Sequence, residues 1–70
     1  MAKLYNILTC HPQNAVNAYD HKTHKLLKRY NVGDRDIFDV VALGYVCKIW
    51  VDYDERYGDS IGVDVMMDTL

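Results

Sequence analysis

Cys10, His11, His21 and His24 bring together the sulfur and imidazole donors of the first third of this chain. A closed zinc site needs four such ligands, usually as two tight pairs. His21-x-x-His24 has the spacing to chelate, but Cys10 and His11 are adjacent and diverge on an extended segment. No metal site is expected. The same divergence argues against a thiolate–imidazole nucleophile there. Ser60 lies in Gly58-Asp59-Ser60-Ile61-Gly62, which is not the G-x-S-x-G elbow of a serine hydrolase. Asp52, Asp54, Glu55 and Asp59 crowd one predicted turn, whereas acid–base work needs carboxylates in a cleft. The run from Asp52 to Gly58 does not match a calcium-binding loop, and the glycines are too scattered to cradle a phosphate. A non-enzymatic protein without cofactor is the expectation.

Two groups of residues suit binding. Trp50, Tyr57 and Met66 stand among Asp52, Asp54, Glu55, Asp59, Asp64 and Asp68, large side chains inside an acidic rim. Such a surface suits a basic partner protein, for example the nucleic-acid channel of an enzyme. The second group is Lys22, Lys25, Lys28, Arg29 and Tyr30, with Tyr19, His21 and His24 close by, a basic strip able to meet phosphates and stack on bases. Residues 1–33 carry five cationic side chains against one acid, and residues 34–70 carry three against nine. The acidic half repels a polyanion that runs beyond the strip, and it can equally be neutralised by the strip from within. The first reading is therefore a small protein-binding regulator or inhibitor. The alternative is a nucleic-acid-binding regulator using the hairpin 19–30.

At 70 residues, half of them apolar and a quarter charged, the chain is expected to be one globular domain, residues 1–70, with a modest core. Six tyrosines and a tryptophan in so small a core make a homodimer a fair expectation. Residues 1–9 lack the apolar stretch of a signal peptide, and no run approaches the length of a membrane span, so cytoplasmic location and reduced thiols are expected. In size and acidity the chain is like the short accessory proteins of phages and mobile elements, a likeness of class and not of motif.

The elements that must position these residues follow from periodicity. Residues 3–9 alternate and predict a strand. Ala15–Val32 predicts a hairpin turning at Asp20–His24, with Asp20 accepting backbone N–H groups and His24 in the left-handed position where glycine is usual, closing a bulge. Ile37, Val40 and Val41 make a helical stripe, predicting a short helix over Asp34–Leu43 capped by Asp34 or Asp36 and ended by Gly44. A strand from Phe38 onward competes for the same residues. Tyr45–Tyr53 and Ile61–Asp68 predict a second hairpin, with Tyr45, Cys47, Ile49, Val51 and Tyr53 on one face. The expected fold is α+β: a mostly antiparallel sheet of about five strands in the order β-ββ-α-ββ, with one short helix on one face.

Overall fold

The computed structural model describes residues 2–33, 35–54 and 58–67. The chain forms one helix, α1 (Leu4–Cys10), and four strands: β1 (Val16–Asp20), β2 (Leu26–Tyr30), β3 (Tyr45–Asp54) and β4 (Gly58–Met66). A 3-10 turn at Val41–Leu43 precedes β3. The class is α+β. The sheet is mixed, in the order β2-β1-β4-β3. Each half of the chain gives an antiparallel hairpin, and the two hairpins join where β1 runs parallel to β4.

Where a strand is expected over residues 3–9, the chain forms α1 from Leu4 on, with Lys3 extended ahead of it. The alternation of these residues also fits a helix, because Leu4 and Leu8 are four apart and Ile7 three from Leu4. Burial decides between the two periods. Leu4 and Leu8 are fully enclosed against Val16, Ala18, Tyr30, Ala42, Val63 and Val65, with Tyr5 and Ile7 packed beside them. A helix of seven residues has no stability of its own, so this packing holds it. The Asn6 side chain also accepts the Lys3 backbone N–H at 3.0 Å and fixes the first turn. The segment ahead of the helix adds a short bridge to β3, pairing Lys3 with Tyr45.

The helix expected over Asp34–Leu43 reduces to the 3-10 turn; Asp34 itself lies outside the described residues. Asp36 accepts the Phe38 N–H at 2.9 Å and Asp39 accepts the Ala42 N–H at 2.8 Å, local bonds that compete with helix propagation. The stripe is not buried as a unit either, since Ile37 and Val41 pack on the core while Val40 is 72 % exposed. Val40 and Val41 are β-branched and add nothing to helix propensity. Gly44 ends the turn in extended backbone, not the left-handed cap. Its missing Cβ matters for packing: a Cβ there would fall on the side chains of Val65 and Met67.

The first hairpin forms as expected. Asp20 Oδ1 accepts the N–H groups of Lys22 and Thr23 at 2.7 and 3.0 Å, and His24 has φ 61°. The bulge falls further on. Tyr19 lies opposite Leu26 and Ala18 opposite Lys28, so Leu27 is the extra residue, and Leu26 does not share the side of Lys28 and Tyr30. A second bulge sits in β3, where Val46 faces Val65 but Lys48 faces Asp64, leaving Cys47 as the extra residue. This moves Val46 to the side of Ile49 and Val51, where it packs on the core, and corrects the expected face through Tyr45 and Cys47.

Candidate functional site

α1 and the 3-10 turn cover one side of the sheet; the other side is open. The open side carries Arg29 of β2, Asn17 and Tyr19 of β1, Ser60, Gly62 and Asp64 of β4, and Lys48, Trp50 and Asp52 of β3. Trp50 lies directly across from Gly62, and a Cβ on that glycine would overlap the indole. The ring therefore lies flat across β4 and stacks on Tyr19 of β1, with centroids 5.7 Å apart and planes 27° apart. Cross-strand cover of a glycine by an aromatic ring restores the contact the glycine lacks.

A polar belt crosses the sheet beside this stack. Arg29 Nη1 donates to Asn17 Oδ1 at 2.8 Å, and Asn17 Nδ2 donates to Asp52 Oδ2 at 3.0 Å. The Tyr19 hydroxyl donates to the same oxygen at 2.6 Å. Arg29 Nη1 also reaches Ser60 Oγ at 3.5 Å, and Arg29 Nε donates to Asn31 Oδ1 at 3.1 Å. All four strands contribute a residue. A satisfied polar network of this kind fixes side chains that would otherwise swing. Trp50, 38 % exposed, is thus an aromatic surface held against β4 and β1, with its stacking partner Tyr19 fixed by the belt.

The expected acidic rim is only partly present. Asp52 is half-buried and accepts two bonds within the belt, and Asp64 is buried between Lys48 and Tyr19 on its neighbouring strands. Asp59 and Met66 are exposed. Glu55, Tyr57 and Asp68, and the side chain of Asp54, lie outside the described residues. Asn17, Tyr19, Arg29, Ser60 and Gly62 belong to the site although sequence reasoning left them out of that face. Their signal was the alternation of Asn17 and Tyr19 with buried Val16 and Ala18; what was missing was the placement of β1 beside β4.

The basic strip is taken apart by the pleat. Lys28 and Arg29 point to opposite sides of β2. Lys28 pairs with Asp39, and Tyr30 is a core residue whose hydroxyl donates to Asp39 Oδ1 at 2.7 Å. Burial, then the bond to Asp39, pushes the Tyr30 hydroxyl well above its ordinary pKa. Burial works against the Asp39 charge, but Lys28, Tyr30 and the Ala42 N–H together hold its carboxyl below the usual range. Lys22 and Lys25 alone of the strip stay fully exposed, at the hairpin tip with His21 and His24. Cys10 and His11 are exposed at the end of α1. Among the described residues no three His, Cys, Asp or Glu side chains converge to hold a metal ion, and no helix is long and apolar enough to cross a membrane.

Compared with protein-family models, curated proteins and solved structures, the chain has no significant match.

Proposed function

We propose that this protein is a non-enzymatic binding module whose open sheet face docks a partner protein, regulating or inhibiting it. The observation that carries this reading is the Tyr19–Trp50 stack over Gly62. A tryptophan held rigid before binding loses little entropy on docking, and buried tryptophans dominate interface energies. The partner presents a basic patch. Arginine stacks on the indole face, and the exposed Asp59 with the acid-rich second half of the chain favours a cationic approach. A basic groove that handles nucleic acid has this character. The alternative, nucleic-acid binding by the first hairpin, is less favoured because Lys28, Arg29 and Tyr30 are engaged within the fold.

Capture of partners on immobilised wild-type chain, repeated with Trp50→Ala and Trp50→Phe, tests the reading. Wild type retains partners in low salt that Trp50→Ala loses by about 30-fold or more in affinity, the scale of an interface anchor, while Trp50→Phe keeps part of the binding. Equal recovery on wild type and Trp50→Ala ends the proposal. Titration of labelled single- and double-stranded nucleic acid decides the alternative. Salt-sensitive binding abolished in Lys22→Ala/Lys25→Ala would replace the protein partner with a polyanion.

A further inference from the structure

β3 is an edge strand. Its start is covered on the outer side: Leu4 N–H donates to the O of Gly44, just ahead of the strand, and Val46 N–H to Ala2 O, both at 2.9 Å. Beyond Cys47 no described segment pairs with that side. The ladder to β4 runs without interruption from Lys48 to Asp54, so the free edge is straight and regular. Edges of this kind are normally blunted by proline, bulges, shortness or charge. Between Lys48 and Tyr53 there is no proline and no bulge, and the apolar side chains are left uncovered. Ile49 is 52 % and Val51 75 % exposed, on the α1 side of the sheet but beyond the cover of the helix, and a shallow groove of about 260 Å³ lined by His11, Ile49, Trp50, Val51 and Ile61 opens along them.

The chemistry of this edge is symmetric about Trp50. The sequence reads Cys47-Lys48-Ile49-Trp50-Val51-Asp52-Tyr53. Set antiparallel to a second copy with Trp50 at the centre, Ile49 meets Val51 and Lys48 meets Asp52, each twice. Cys47 meets Tyr53. Apolar faces apolar on one side of the strand, and cation faces anion on the other, flanking the paired tryptophans. A parallel arrangement would set Lys48 beside Lys48 and would not close as a two-fold.

We propose that β3 pairs with β3 of a second copy of this chain about a two-fold axis at Trp50, forming a continuous eight-stranded sheet. Both helices then lie on one side. Both Tyr19–Trp50 stacks lie together on the other, as one larger surface. The dimer does not depend on the partner protein proposed above, because the matched residues are all in β3.

Sedimentation equilibrium of the full chain, from micromolar to millimolar, tests this. The wild type reaches twice the mass of one chain. Lys48→Glu and Asp52→Lys each set like charges opposite one another at two places and raise the dimer dissociation constant by about tenfold or more. Mixed in equal amounts, the two variants restore both opposite-charge pairs and the dimer returns. Lys48→Arg, which keeps the charge and does not touch the belt, remains dimeric, so the proposal stays decidable even if loss of the Asn17 and Tyr19 bonds unfolds Asp52→Lys. A wild type of single-chain mass throughout overturns the proposal. So does a Lys48→Glu chain that dimerises as tightly as wild type, or a mixture of two folded variants that stays monomeric.

Discussion

At the scale of single residues, Asp39 fastens the second edge strand to the turn that covers the core. One oxygen accepts from Tyr30 and from the Ala42 N–H, and the other pairs with Lys28. The folded carboxyl titrates below its unfolded value, so its contribution to stability is complete above the unfolded pKa and is lost as pH falls through the folded one. Urea unfolding of wild type and Asp39→Asn checks this. The variant is expected to lose about 1–2 kcal/mol at neutral pH, a charged hydrogen bond discounted for the half-exposed lysine, and the difference shrinks below pH ~4 as the unfolded carboxyl becomes protonated. A difference that stays constant into acid would show that Asp39 acts by shape and not by charge. Tyr30 has the opposite sign. Its folded pKa is raised, so its contribution is present below the unfolded value and declines as pH rises past it.

At the scale of elements, the first hairpin was legible because its turn chemistry is local. Asp20 binds the next two N–H groups but one, and His24 takes the left-handed conformation that closes the loop. That conformation costs a side-chain-bearing residue about 1 kcal/mol, part of which glycine gives back as unfolded-chain entropy. His24→Gly is therefore expected to raise stability by about 0.5 kcal/mol in urea unfolding, and a loss would mean that the His24 side chain makes a compensating contact. The second hairpin was legible for a different reason, its strict alternation. α1 was not, because seven residues satisfy both a period of two and an i, i+4 pair, and only the surface beneath them separates the two. The bulges at Leu27 and Cys47 were hidden as well, since an extra residue in a ladder leaves no mark on composition. For the site, Trp50 and Asp52 were correctly placed on one face. The belt that braces them needs β1 parallel to β4, a contact between residues more than thirty positions apart that no local pattern carries.

At the scale of the whole molecule, the two hairpins share one core and one belt, on opposite sides of the same sheet. The buried set draws on α1, the 3-10 turn and strands from both hairpins, with Val16 and Ala18 of β1 beside Val63 and Val65 of β4. A chain of this size has a stability of roughly 5 kcal/mol to lose, and truncating one enclosed leucine removes about 2–5 kcal/mol of it. Leu8→Ala, which empties a site under α1, is therefore expected to bring the chain close to its unfolding midpoint at room temperature. Trp50 projects from the far side of the sheet, over Gly62 and stacked on Tyr19, so its fluorescence reports on the open face. If the fold is a single cooperative unit, far-UV circular dichroism and Trp50 fluorescence change together in urea for wild type and for Leu8→Ala. The midpoint of the variant drops while the two signals remain superimposed. Helix signal lost at low urea with Trp50 unchanged would show instead that α1 is an appendage, and that the sheet with its aromatic stack and polar belt stands without it.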